Sequence, residues 1–244
     1  MRKTDLRAVK EVARTMLALE PHLTKFSPLV ISHPFSNTGI VGIRKDGETH
    51  ILNIAENRDN LREWRSCVKE QIDNSASPFD IYMMLNTPYA LTFLKHTKPY
   101  LSREDHSKIL ASAWTSAEAP NQDVDVSKTQ LLAMFKAADP AVLMDKDEYR
   151  QWGELEGQIT VYRGVTPYNG KNVRALSWTL DRNTAEWFAH RFGEEGMVYE
   201  AQIEKEHIYA LFNGRNESEV VVDPKHLTGI IESPEPEQHY ELSM

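Results

Sequence analysis

Apolar residues near the start of the chain recur at helical spacing. Leu6, Val9, Val12, Met16 and Leu19 share one face with charges between them, which predicts an amphipathic helix over 5–19, ended by Pro21. The apolar runs LVIS (29–32), IVGI (40–43) and THILNI (49–54) follow, and Asp46-Gly47 between the last two predicts a hairpin. Leu61, Trp64, Val68 and Ile72 return to a period near 3.6, giving a helix over 57–73. The segment Asn74-Ser75-Ala76-Ser77-Pro78 is the best linker in the front half. Helices are then expected over 79–86 and 89–97, separated at Thr87-Pro88, and over a stretch capped by Ser102 with Asp105 at the capping-box position. After the loop 120–127, Ser127 caps a helix whose buried stripe is Leu131, Met134, Phe135 and Ala138; Asp139-Pro140 breaks it, and 145–155 forms a short last helix.

From residue 158 the period changes to 2. Strands are predicted at 158–163, 174–179, 197–203, 207–211, 218–223 and 227–232. One helix interrupts them at about 182–192, started by Asn183 or Thr184 and stopped by Gly193. The polar tail 233–244 is expected to fray. Helices followed by strands in segregated blocks indicate an α+β protein rather than a parallel doubly wound sheet. The expected division is a small α+β unit at 1–76, near the lower size limit for independent stability, and a larger domain at 77–244. Within the larger domain 77–155 is helical and 156–232 is the β part.

Charge and composition narrow the function classes. The 244 residues carry 28 Lys and Arg against 36 Asp and Glu, a net charge of −8. Such a chain is not built to coat a phosphate backbone, so nonspecific nucleic-acid binding is not expected. Cys67, the single cysteine, cannot form an intrachain disulfide and fits a reducing cytosol; its helical surroundings make it a half-buried small residue rather than a nucleophile. The first residues carry charges throughout with no apolar core, and no stretch approaches 18 uninterrupted apolar residues, so neither a signal peptide nor a membrane span is expected, and a cytoplasmic location is. The nine histidines are scattered, with no His-x-x-x-His pair or cysteine partner, so no metal site is expected. Neither a Gly-rich phosphate loop nor a GxSxG elbow occurs.

The chemistry-bearing residues lie in 159–222. Arg163 sits inside the β-type run ITVYRGV, Ser177 and Thr179 flank Trp178 in ALSWTL, and Glu217 and Glu219 open the run ESEVVV. Two carboxylates two apart on a strand share a face and raise each other's pKa. A guanidinium on a sheet needs anionic company. Taken singly, each has a plain structural explanation: a salt bridge for Arg163, ordinary strand hydroxyls for Ser177 and Thr179, a solvent-facing edge for the glutamates.

Together, in order, the β-borne Arg, the Ser-x-Thr strand 14 residues later and the Glu-x-Glu strand start about 40 residues beyond that resemble the Arg–Ser–Glu class of mono-ADP-ribosyltransferases. The resemblance covers about 155–232. It implies a split β-sandwich of the ADP-ribosyltransferase type preceded by the helical block, with NAD as substrate and no metal. It further implies that Arg163 holds the NAD phosphate and nearby ribose, that Ser177 braces the catalytic Glu219, and that Glu217 orients an acceptor, arginine being the expected one. Gly164, Trp178, Thr179 and Phe188 then line the dinucleotide. The middle position of the Ser-x-Thr element is Trp178 and the last is Thr179, a departure from the family's Ser-Thr-Ser that keeps the hydroxyl. Trp187 and Phe188 have a second reading, as core residues of an amphipathic helix. The loop 210–218 falls where the family recognises its target.

The chemistry is coherent. Breaking the nicotinamide–ribose bond builds positive charge on the ribose, which Glu219 would stabilise; Glu217 would relieve an acceptor guanidinium of a proton. The implied protein is an intracellular effector of bacterial or phage type that modifies a protein target. Two other readings compete: an NAD glycohydrolase with water as acceptor, and a non-catalytic binding protein on a transferase fold. Nucleic acid as acceptor ranks low, because Arg215 is the only base in the 210–218 loop.

Overall fold

The computed structural model describes residues 2–169 and 172–233. All of the expected frayed tail but Ser233 lies outside them. The chain forms two compact units, Met1–Gln130 with Ala137–Asp139, and Leu131–Lys136 with Pro140–Met244. Both mix helices with antiparallel strands, as an α+β chain should.

In the first unit, helix α1 (Leu6–Leu17) starts at Asp5, whose carboxylate accepts from the Ala8 N–H. Two short strands, β1 (His22–Leu23) and β3 (Ser36–Thr38), flank β2 (Val30–His33); neither was visible as a periodic run. The hairpin β4 (Ile40–Lys45) and β5 (Glu48–Asn53) turns at Asp46 (φ 53°) and Gly47 (φ 84°). Positive φ at both turn positions is what a two-residue turn matched to strand twist requires. Helix α2 (Arg58–Asn74) buries Leu61, Trp64, Val68 and Ile72, the stripe predicted for it. Cys67 is half-buried.

The expected linker at 74–78 is a helix start. Ser77 caps α3 (Pro78–Tyr82) in a capping box with Asp80, and Pro78 stands at the first helical position. Helices α4 (Ala90–Thr97) and α5 (Arg103–Ser116) follow, and α1 packs against α2, α3 and α4. The expected division at 76/77 therefore runs through the middle of the first unit. At Ser102, the N-cap of α5, the reciprocal bond expected from Asp105 goes elsewhere: the Ser102 N–H donates to the Thr4 hydroxyl at 2.7 Å.

Helix α6 (Lys128–Ala137) contributes residues to both units. The second unit continues with α7 (Pro140–Leu143), which was not anticipated, and α8 (Lys146–Glu154), capped by Asp145 and Glu148. Its sheet uses β6 (Gln158–Val165), β7 (Ser177–Thr179), β8 (Met197–Glu204), β9 (Ile208–Phe212), β10 (Glu219–Val222) and β11 (Thr228–Ser233) in the order β11-β8-β6-β7-β10-β9. Helix α9 (Arg182–Ala189) begins at Asp181 rather than at Asn183 or Thr184, because the Asp181 carboxylate accepts from the N–H groups of both. Among the described residues no helix is long and apolar enough to cross a membrane.

His33, at the end of β2, is 1% exposed. Its Nδ1 accepts from the Phe35 N–H at 3.1 Å, its Nε2 lies 3.3 Å from the Leu17 carbonyl, and its ring meets Trp64 edge-on. One acceptor and one donor nitrogen describe a neutral imidazole. Burial pushes its pKa from 6.5 to about 4. Between those values the unfolded chain holds the extra proton, so stability falls as pH drops through the window, by up to about 3 kcal/mol. Urea unfolding from pH 7 to pH 4 should show this loss, and a His33→Gln variant should lack that part of the pH dependence whatever its stability at pH 7.

Candidate functional site

The centre of the second unit's sheet is held by very little. Strands β6 and β8 pair over all eight residues of β6, from Gln158↔Glu204 to Val165↔Met197. Strands β7 and β10 pair from Glu219↔Thr179 to Val221↔Ser177. Between these ladders, β6 and β7 share one pair, Tyr162↔Thr179. The sheet is thus two three-stranded halves, β11-β8-β6 and β7-β10-β9, joined at one rung.

Arg163 is the residue after that rung. Its Nη1 donates to the Ser177 carbonyl at 2.5 Å, a side-chain bond across the two strands beyond the point where their ladder stops. Its Nε is buried and finds no hydrogen-bond partner among the described residues. Burial lowers the guanidinium to about 10, and the negative charge of Glu219 opposes that lowering; at neutral pH it stays charged. Glu219, the first residue of β10, is 8% exposed. It pairs across the ladder with Thr179, and Ser177 pairs with Val221. Ser177 and Glu219 are therefore diagonal neighbours on one face, roughly 7–8 Å apart. Beside the rung where the two halves join, Arg163 thus reaches the Ser177 backbone carbonyl and feels the charge of Glu219.

Glu217 is placed differently from the strand-borne pair expected. Strand β10 begins at Glu219, and Ser218 between the two glutamates has φ 43°. Alternation of faces does not extend through a left-handed residue, so Glu217 belongs to the preceding turn. Its carboxylate meets Arg215 Nε at 3.4 Å. Its carbonyl accepts from the Thr179 hydroxyl at 2.6 Å, and that same hydroxyl accepts the Asp181 N–H at 3.0 Å. Thr179, buried and doubly bonded, is a peg that ties the turn before β10 to the start of α9. That accounts for its hydroxyl without a bound molecule.

Three other residues assigned to the dinucleotide have structural roles. Trp178 is 2% exposed, with its Nε1–H on the Ala175 carbonyl at 3.1 Å, so the residue between Ser177 and Thr179 points into the core. Gly164 faces α9: a Cβ there would lie 2.0 Å from the Ala185 carbonyl oxygen, 2.6 Å from the Ala189 nitrogen and 2.8 Å from the Phe188 Cβ. Gly196 is crowded by the same helix, 2.1 Å from the Ala189 carbonyl oxygen. These two glycines let α9 lie directly on the backbone of β6. Phe188 is half-buried and packs edge-on against Trp187, which is 59% exposed and so is not the core residue that the helix pattern allowed.

Features that no pattern disclosed surround the turn before β10. Glu148 of α8 accepts the Asn213 N–H at 2.7 Å, and Gln151 accepts from the Asn213 side-chain amide at 3.0 Å. The capping-box spacing of Asp145 and Glu148 was the available signal, but it says nothing of a second bond to a loop 65 residues away. Among the described residues no cluster of three or more His, Cys, Asp or Glu could hold a metal ion. No protein-family model, curated protein or solved structure matches the chain.

The glycine contacts make a paired test. Gly164→Ala should cost about 3 kcal/mol in denaturant unfolding, because the obstacle is the helix backbone. Gly153→Ala, inside α8 with nothing within 4 Å of its Cβ position, should be neutral or stabilise by about 0.5–1 kcal/mol. Equal effects would contradict the close approach of α9 to β6.

Proposed function

We propose that this protein is an NAD-dependent mono-ADP-ribosyltransferase that transfers ADP-ribose to a protein side chain, arginine being the acceptor its carboxylates suit. The observation that carries the reading is Arg163 beside the single rung between β6 and β7, bonded to the Ser177 carbonyl and within the influence of the Glu219 charge. A sheet that separates into two three-stranded halves at that point agrees with a split β-sandwich, and the helices α7 and α8 precede it in the chain.

Arg163 fits an anionic group. A half-buried guanidinium whose Nε finds no partner among the described residues can donate to a phosphate or carboxylate oxygen, and its planar fork suits the pyrophosphate. Glu219, buried and close enough for its charge to act on Arg163, supplies negative charge where the ribose becomes cationic as the glycosidic bond breaks. Its carboxylate would take a hydrogen bond from a ribose hydroxyl and stabilise the ribosyl cation. Ser177 sits diagonal to Glu219 on the same face, in reach of the same ribose or the departing nicotinamide. Glu217, on the turn, has its backbone held by Thr179 and its carboxylate available to a guanidinium, as its contact with Arg215 illustrates. It would orient the acceptor and take its proton. The bond broken is C1′ to the pyridinium nitrogen, whose electron pair leaves with neutral nicotinamide.

These roles separate in three variants. Arg163→Ala should weaken NAD binding about 10–100-fold, the worth of a charge-assisted bond to phosphate. Glu219→Ala should keep NAD binding largely intact and lower turnover at least about 1000-fold. Glu217→Ala should reduce transfer to protein more than nicotinamide release. Calorimetry with NAD, together with nicotinamide chromatography, reads all three. Equal and large loss of binding in the Arg163 and Glu219 variants would contradict the assignment, and an unchanged ratio of transfer to release would contradict the role of Glu217.

A further inference from the structure

The β1–β2 hairpin of the first unit ends in an apolar tip that faces solvent. Phe26 is 92% exposed, Leu23 64% and Leu29 53%, and Val30 is exposed next to Leu29. A single exposed apolar residue is ordinary; four within eight residues of one hairpin form a patch. The turn between the strands satisfies its own polar groups. The Thr24 N–H and hydroxyl both donate to the Val30 carbonyl at 3.0 Å. The Val30 N–H donates to the Ser27 carbonyl at 3.1 Å, and the Leu29 N–H to the Ser27 hydroxyl at 3.2 Å. Pro28 has no N–H to satisfy. A turn bonded in this way can leave water at little cost to its backbone.

The arrangement of the side chains narrows the partner. Leu23 stands opposite Ile31 in the ladder and shares its face. Val30, the neighbour of Ile31, points to the other face. The apolar residues therefore surround the tip rather than line one side of it. A folded partner covers one face of a hairpin, whereas fluid hydrocarbon surrounds whatever enters it. A standard protein interface also engages about 20–30 residues a side, far more than this tip offers.

Charge narrows the partner further. From Pro21 to Lys45 the chain carries no Asp or Glu, although 36 acids in 244 residues would place about four in a stretch of 25. Its charged side chains are Lys25, Arg44 and Lys45. Lys25 is exposed beside Phe26 and has no ion pair among the described residues. The last acid before the tip, Glu20, is matched by Arg65 at 3.2 Å. An acid-free stretch with a cation at its tip complements a negatively charged surface and removes the repulsion that the rest of this acidic chain would meet there. We propose that the first unit binds a membrane surface containing anionic lipid by inserting the tip of the β1–β2 hairpin. Phe26 enters the boundary between headgroups and acyl chains, and Lys25 stays among the headgroups. The tip is independent of the chemistry assigned to the second unit.

The test sediments the purified chain with vesicles of phosphatidylcholine alone and of phosphatidylcholine with an equal part of phosphatidylserine. Wild type should bind the mixed vesicles more tightly. Phe26→Ala, at a position almost wholly in solvent, should fold as wild type does and bind the mixed vesicles about 10-fold or more weakly. Lys25→Ser should lose about 5-fold on the mixed vesicles and nothing on phosphatidylcholine alone. Val124→Ala, 97% exposed elsewhere in the same unit, should bind as wild type. Wild type that stays in the supernatant with both vesicles overturns the proposal, and so does Phe26→Ala sedimenting like wild type or Val124→Ala losing as much. A wild-type dimer in analytical ultracentrifugation that Phe26→Ala converts to monomer would assign the tip to a second copy and overturn it as well.

Discussion

A half-buried positive charge, its Nε shut off from water, sets the terms for the second unit. A guanidinium taken out of water is costly unless it is paired and hydrogen-bonded. Arg163 meets that demand with the Ser177 carbonyl and the nearby charge of Glu219, while its Nε finds no partner among the described residues. The demand is met where the ladder between β6 and β7 has dwindled to one residue pair. Had β6 and β7 paired along their lengths, backbone groups would have filled the space the Arg163 side chain now uses. The weak joint in the sheet and the polar cluster are thus one feature.

Adjacent residues on a strand point to opposite faces. Gly164, next to Arg163, turns its bare side to α9, where a Cβ would strike the Ala185 carbonyl. Tyr162 packs on the same helix face, against Ala185, Ala189 and Val198. Two consecutive residues of β6 therefore serve different ends: one admits a helix at backbone distance, the other carries charge to the strand junction. Thr179 then links α9 to the turn before β10, and α8 fixes the start of that turn. The Glu217 backbone is held by Thr179 of β7, and the start of its turn by α8.

Much of this was legible in the residues. The period of 2 after residue 158 located six strands to within a few positions, because all but β11, which is exposed along most of its length, have at least one buried face. Asp46-Gly47 disclosed its hairpin, since few dipeptides tolerate two positive φ angles. Arg163, Ser177 and Glu219 could be picked out as a set because their strands were. What escaped depends on three-dimensional circumstances that leave no periodic trace. The short strands β1 and β3 are too brief to show alternation. The boundary placed at 76/77 failed because the packing of α1 on α3 and α4 is a long-range fact, and because Ser77 and Pro78 serve equally in a linker and in a helix cap. Glu217 and Glu219 read as one strand face, but a left-handed Ser218 cannot be foreseen from Glu-Ser-Glu. Gly164 and Trp178 lie beside Arg163 and Ser177 in sequence and turn away from them in space.

The central claim is that the Arg163–Ser177–Glu219 junction cleaves NAD and passes ADP-ribose to a guanidino group. Its most direct test is incubation of the wild-type chain with labelled NAD and an arginine-rich polypeptide, followed by mass spectrometry of the polypeptide. ADP-ribose on arginine, absent when Glu219→Ala replaces the wild type, is the predicted result. Intact NAD and an unmodified polypeptide, or labelling that Glu219→Ala leaves unchanged, would contradict the account.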